Sequence, residues 1–251
     1  VLYFNMIKFP LFEKNLYKSS IFDYEFIYIY SDLRYYLIKF GSNFSKYLIN
    51  LFLKEKKTLI IPTFSYTTSG RFLINKTESK LGYLSNFILN SRNSYRSDHP
   101  LFSFAAIGPK KKILNNLGKS AFGSNGLHRK LYKKNVCYLH MGRPLKQGNT
   151  MVHFFEQKYN VAYRYEKKFL TKVYRNKKYL GTNYSAYLRR LNKKNNYFYF
   201  AKAYKEIKKR KFFKSYCDTN QFQKVEIYSY DRIYETFDEL IKKDKNIFIR
   251  K

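Results

Sequence analysis

Phe26-Ile27-Tyr28-Ile29-Tyr30 and Thr58-Leu59-Ile60-Ile61-Pro62 are two apolar runs of strand length, the second stopped by proline. Between them Phe44, Leu48, Leu51 and Phe52 recur at the spacing of one helix face, so residues 26–62 read strand, helix, strand. The rhythm continues outward with a helix around Leu84, Phe87 and Ile88 and a strand at 101–107 ending in Gly108-Pro109. A helix on Ile113, Leu114 and Leu117 and a strand at 135–141 ending in Gly142 follow. Alternation of this kind implies a sheet with helices packed on it, and the fold class is α/β.

Composition sets the outer limits. The chain has 251 residues, 45% hydrophobic and 20% aromatic, which excludes a disordered basic tail. No apolar run is long enough to span a bilayer, so no transmembrane segment is expected. Residues 1–18 show no secretory signal pattern, and two cysteines, Cys137 and Cys217, are too few for a disulfide framework, which points to a reducing cytoplasm. The formal net charge of +33 is partly compositional: 27 Tyr, 24 Phe and no Trp, with abundant Lys and Asn, suggest an AT-rich genome. Acidic residues stay scarce nonetheless, so a positive surface is expected to attract phosphate-bearing ligands, nucleic acid or an anionic membrane face. About half of the excess falls between Lys158 and Lys214, which holds 19 Lys and Arg against Glu166 and Glu206.

Asn149-Thr150-Met151-Val152-His153-Phe154-Phe155-Glu156 carries the clearest chemistry. Thr150 is a good N-cap, and the helix that follows puts His153 and Glu156 at i and i+3 on one face. The positive end of the helix dipole keeps the imidazole neutral and able to accept a proton, and the carboxylate orients it. The same spacing also fits an ordinary helix start with a core histidine. Asp98 and His99, before Pro100, sit in a loop or at a strand entrance. Gly118 to Gly126 lacks the glycine spacing of a P-loop and reads as a mobile loop near the ligand. His128 and His140 have no neighbours at metal-ligand spacing, and no nucleophile elbow is present.

Taken in order, Tyr30-Ser31-Asp32-Leu33, Thr58 to Tyr66, Ser79 to Ser85, Arg96 to Gly108, Gly126 to Tyr132 with Val136 to Gly142, Asn149-Thr150 with His153 and Glu156, and Ala162-Tyr163-Arg164-Tyr165 resemble the aminoglycoside 3-N-acetyltransferase family. The resemblance is clearest over residues 26–169. It implies a three-layer α/β/α fold with a central mixed sheet, a single domain over 1–251 with a basic C-terminal extension of the fold, and acetyl transfer from acetyl-CoA, a co-substrate, to an amine without a metal. It further implies His153 and Glu156 as catalytic residues, Ser31, Leu33 and Ser103 in cofactor-binding loops, and Tyr66, Asp98 and His99 at the acceptor. Two departures stand out: Tyr30-Ser31-Asp32-Leu33 replaces the family's usual His-Ser-Ser-Leu, and Lys146-Gln147-Gly148 replaces an Asp before Asn-Thr.

The expected function is therefore a CoA-dependent N-acetyltransferase acting on an amine-bearing sugar, a biosynthetic amino sugar in preference to an antibiotic. A binding protein that lays the Lys158 to Lys214 face, with its runs Lys177-Lys178, Arg189-Arg190, Lys193-Lys194 and Lys208 to Lys211, on RNA or single-stranded nucleic acid is the second reading. Peripheral contact with an anionic membrane is compatible with either.

Overall fold

A computed structural model describes residues 10–190, 197–217 and 224–250. The run Lys193-Lys194 and residues 1–9 of the stretch read for a signal peptide lie outside the described residues. In chain order the elements are α1 (Pro10–Lys18), β1 (Phe26–Ser31), α2 (Arg34–Phe40), α3 (Asn43–Lys54), β2 (Thr58–Pro62), β3 (Arg71–Leu73), α4 (Tyr83–Leu89), β4 (Tyr95–Arg96) and β5 (Phe104–Ile107). There follow α5 (Leu127–Leu131), β6 (Val136–Met141), α6 (Met151–Lys158), β7 (Arg164–Phe169), β8 (Lys172–Arg175), β9 (Lys178–Gly181) and β10 (Tyr184–Arg189). The chain closes with β11 (Tyr197–Phe198), α7 (Ala201–Lys209), β12 (Phe213–Cys217), β13 (Lys224–Ser229), α8 (Tyr230–Lys243) and β14 (Ile249–Arg250).

The three layers follow from the period-2 alternation of side chains along the central strands. In β1, Phe26, Tyr28 and Tyr30 enter one hydrophobic cluster, while Ile27 and Ile29 enter another on the opposite face. The partition repeats in β6, with Val136 and Tyr138 against Cys137, Leu139 and Met141, and in β5, with Phe104 and Ala106 against Ala105 and Ile107. Helix α3 covers the aliphatic face with Phe44, Leu48 and Phe52, joined by Leu84 and Ile88 of α4. Helices α5 to α8 cover the aromatic face, through Leu131, Phe155, Ile207 and Phe237 among others.

The central sheet runs β12-β13-β6-β1-β2-β5-β4. Strand β1 pairs in parallel with both β2 and β6, and the outer pairings are antiparallel, so the sheet is mixed. The chain leaves β1 toward β2 on one side and returns through β6 on the other. The crevice beyond the carboxyl ends of β1 and β6 is thus a topological switch point, where open α/β sheets bind ligands. The basic C-terminal part extends the fold, since β13 adds to β6 and β12 to β13. Outside the main sheet, β7 and β10 form an antiparallel ribbon and β3, β8 and β9 a small sheet.

Three local expectations differ from what is observed. The helix placed on Ile113, Leu114 and Leu117 is a single 3-10 turn, Lys111–Leu114, ended by Asn115 in extended conformation. The strand placed at 101–107 starts only at Phe104; residues 100, 101 and 103 offer their carbonyls to Thr67, Tyr66 and Thr63 across a bend. Loop 118–126 is tied rather than loose: Ala121 N–H donates to the Ser185 carbonyl (2.9 Å), Gly118 N–H to that of Asn125 (2.9 Å), and Phe122 is buried. Among the described residues no helix is long and apolar enough to cross a membrane.

Candidate active site

Helix α6 begins beside the end of β1 because two side chains hold it there. Asn149 Oδ1 accepts from the Met151 N–H (2.8 Å), so the helix start is capped by Asn149 and not by the side chain of Thr150 as the sequence suggests. The Thr150 hydroxyl turns the other way, against Tyr30 Oη and within 3.4 Å of His128 Nε2. Tyr30, where the family usually has a histidine, thus holds the first turn of α6 and also accepts from the Thr150 N–H (3.2 Å).

His153 and Glu156 follow as an i,i+3 pair, with His153 Nδ1 2.6 Å from Glu156 Oε2. Glu156 is fully buried, yet it accepts from His153 and from the Tyr163 hydroxyl (2.9 Å) and forms an ion pair with Arg164, whose Nε lies 2.7 Å from Oε2. Burial would raise its pKa, but His153, Arg164 and Tyr163 together hold it below the usual carboxylate range. An ionised carboxylate only accepts, so the Nδ1 proton is fixed and Nε2 carries the lone pair. Burial and the charges of Arg164 and Arg189 push the His153 pKa down against the pull of Glu156, so the ring is neutral at pH 7. The expected neutrality holds with burial as its main cause. A core histidine would be enclosed, whereas the His153 side chain is 25% exposed and borders two cavities.

Three cavities meet at Arg143. The largest, about 880 Å³, is lined by His153, Thr150, Arg143, Arg164, Arg189 and Phe198 among others. A narrower one of about 290 Å³ runs from Ser31 and Ser85 past the apolar side chains of Ile29, Pro62, Phe64 and Phe102 to His153. The third, about 410 Å³, opens over Ser31, Asp32, Leu33 and Arg34. Arg143 is placed by its neighbours: His140 Nδ1 donates to the Arg143 carbonyl (3.0 Å), and the guanidinium lies over the Tyr30 ring, 5.8 Å from its centre. One strand further out, buried Glu226 accepts from the Leu145 N–H (2.9 Å) and fixes the turn after Arg143.

The expected site residues divide. Ser31 and Leu33 border the cavity at the β1–α2 turn, and Tyr66, half exposed with a φ of 53°, borders the narrow one. Ser103, Asp98 and His99 line none of these three cavities and make internal hydrogen bonds. The buried Ser103 hydroxyl donates to the Thr63 carbonyl (2.8 Å) and accepts from Arg96 Nε (3.0 Å). His99 Nε2 donates to the Ser185 carbonyl (2.9 Å) while Nδ1 accepts the N–H groups of Leu101 and Phe102, and burial lowers its pKa to about 4. Asp98 accepts from the Tyr184 hydroxyl (3.1 Å). His99 and Asp98 thereby fasten the 98–104 bend to β10, at positions that the family resemblance places at the acceptor. The sequence reading did not single out Arg143; its available signal was a position just past the carboxyl end of a central parallel strand.

Comparison with known proteins agrees with this construction. No curated protein matches the chain at the level of sequence. Among solved structures, a mutant of aminoglycoside acetyltransferase AAC(3)-IVa in complex with gentamicin is similar over 94% of this chain and 90% of its own, at 17% identity and a TM-score of 0.71. The YokD protein from Bacillus subtilis is similar over 93% and 94%, at 15% identity and a TM-score of 0.72. AAC-IIIb in binary complex with CoASH is similar over 92% and 94%, at 13% identity and a TM-score of 0.72. At such identities these likenesses speak for the fold. The family model for aminoglycoside 3-N-acetyltransferases matches residues 50–229, well past the point where the motif resemblance fades. With that match over most of its length, the chain belongs to the aminoglycoside 3-N-acetyltransferase family, a family of acyltransferases.

Proposed function

We propose that the chain moves the acetyl group of acetyl-CoA directly onto an amino group of a sugar-like acceptor, with His153 as general base. One observation carries the reading: a neutral histidine, its tautomer set by buried Glu156, borders both the large cavity and the narrow one. The acceptor occupies the large cavity. CoA fits the other two, as a member of this fold with CoASH bound leads one to expect. Asp32 holds the exposed Arg34 guanidinium beside the 410 Å³ cavity (Nε to Oδ1 2.9 Å), where Arg34 presents positive charge to its phosphates. The 290 Å³ cavity, bordered by Ile29, Pro62 and Phe102 together with Ser31, Ser85 and Thr150, suits the pantetheine arm, whose amides alternate with apolar carbons.

In the reaction, His153 Nε2 takes a proton from the acceptor amine as its nitrogen attacks the thioester carbon. The C–S bond breaks as the amide forms, and the imidazolium returns the proton to the departing sulfur. Glu156 keeps Nδ1 protonated and stabilises the imidazolium meanwhile, through the same hydrogen bond that fixes the tautomer. Aminoglycosides are polycations, and neither the chain's net charge nor the family Asp missing before Asn149 favours them. The reading therefore takes a neutral or anionic amino sugar as the acceptor. The test is thiol release from acetyl-CoA in the presence of amino sugars, with the acetamide product identified by mass. Transfer at rates well above hydrolysis supports the reading; thiol release that ignores every amine overturns it.

A further inference from the structure

The large cavity is walled by four arginines, Arg143, Arg164, Arg189 and Arg190, and by no carboxylate. Glu156 lies beneath it, fully buried and already shared between His153, Arg164 and Tyr163. Segment 191–196, outside the described residues, contains no Asp or Glu in its sequence. A cavity built for a polyamine would show the opposite balance, because each cationic amine must be met by an acceptor when it leaves water.

The strand register sharpens the point. On the β7–β10 ribbon, Arg164 and Arg189 are direct cross-strand partners, and both line this cavity. Like charges directly opposite each other destabilise a ribbon, so the pairing needs a compensating anion. Glu156 compensates Arg164. Arg189 has no ion-pair partner among the described residues; its guanidinium rests against the Tyr197 ring, 5.9 Å from the centre. Arg143, which lines the same cavity, has none either among the described residues, and Asp32, whose acidity its charge increases, is bound to Arg34. Aromatic faces hold both guanidinia without neutralising them, so their planar N–H forks remain for a ligand.

We infer that the acceptor carries an anionic group, a phosphate or carboxylate, which Arg189 and Arg143 bind while its amine meets His153. Assigning the amine to His153 rests on the transferase reading; the anion site does not. Phosphate is the better match, since it offers oxygens to two forks at once, whereas one carboxylate saturates a single bidentate partner.

Four amines that differ in charge test the inference: glucosamine, glucosamine 6-phosphate, glucosaminic acid and the polycation kanamycin. For the unaltered protein at low salt, kcat/KM for glucosamine 6-phosphate should exceed that for glucosamine by about 10-fold to 100-fold, the range of a charge-assisted hydrogen-bond pair. Arg189→Gln should shrink that ratio about 10-fold, and Arg189→Lys should restore part of it. A preference for glucosaminic acid over the phosphate assigns the anion as a carboxylate. Equal values for glucosamine and its phosphate, or a preference for kanamycin, overturn the inference while leaving the transferase reading intact. So does an Arg189→Gln effect on CoA affinity in place of the ratio, because the guanidinium would then serve the cofactor. If no amine is acetylated, the transferase reading falls, and calorimetry with the same amines still decides. Binding that requires the phosphate and is lost in Arg189→Gln upholds the anion site, and binding indifferent to it does not.

Discussion

Glu156 shows how much depends on single side chains. Replacing it by Gln removes the charge that Arg164 and His153 share, leaving a guanidinium only 10% exposed with no counter-ion. Breaking a buried pair from one side typically costs about 3–5 kcal/mol, so Glu156→Gln should lower the unfolding midpoint as well as the rate. A drop in rate with an unchanged midpoint would show that Arg164 finds another partner. The pH dependence follows from the same pair. As the proposed base, His153 must be neutral to act, and its pKa lies below the usual histidine value, so once the acceptor amine's own ionisation is divided out kcat/KM should rise with pH only below neutrality. A second limb climbing through pH 7 after that correction would mean that Glu156 wins over burial. His99 makes a prediction for stability. Its folded pKa of about 4 lies below the unfolded value, so the unfolded chain binds an extra proton between about pH 6.5 and 4. The stability it contributes is complete above pH 6.5 and is lost as pH falls through that window, with a slope of up to about 1.4 kcal/mol per pH unit. Urea unfolding of His99→Gln should show a shallower loss over the window; an unchanged slope would put the protonation elsewhere.

At the scale of elements, what could be read from the sequence was whatever depends on neighbours in the chain. The apolar runs 26–30 and 58–62 and the helical spacing of 44–52 are local patterns, and they form the expected strands and helix. The His153–Glu156 pair was legible for the same reason. Thr150, Ser103 and His99 were not, because their partners Tyr30, Thr63 and Ser185 lie 120, 40 and 86 residues away. Arg143 becomes a site residue only once β1 and β6 lie side by side. The turn into α6 offers a test of this placement. Gly148 has a φ of +97°, and a Cβ there would come within 2.6 Å of the Phe198 ring at the cavity wall. Gly148→Ala should therefore cost about 1–3 kcal/mol of stability and raise the acceptor KM as Phe198 is displaced. A variant with wild-type stability would indicate that Phe198 does not pack on this turn.

Over the whole molecule, a formal charge of +33 acts on every ligand that approaches. Acetyl-CoA is an anion and the proposed acceptor is another, so both are steered in, and the association rate should fall with ionic strength as the field is screened. Raising salt from 20 to 300 mM should lower kcat/KM for acetyl-CoA roughly 10-fold with kcat little changed. A salt-independent kcat/KM would make the charge incidental to catalysis. The fold turns that diffuse charge into a local one, because the β7–β10 ribbon places Arg164 and Arg189 over the crevice at the end of β1 and β6. The topology makes the crevice, the ribbon sets its sign, and His153 is the histidine proposed to move the proton there.

The central claim is that His153 is that proton acceptor, and the decisive measurement pairs the turnover of His153→Ala with its CoA affinity. Loss of a general base costs about 100-fold to 10,000-fold in rate. The variant, folded and binding CoA in calorimetry as the unaltered protein does, should lose kcat by that factor. A variant that keeps its rate per folded molecule and loses only stability would contradict the account and return His153 to the core.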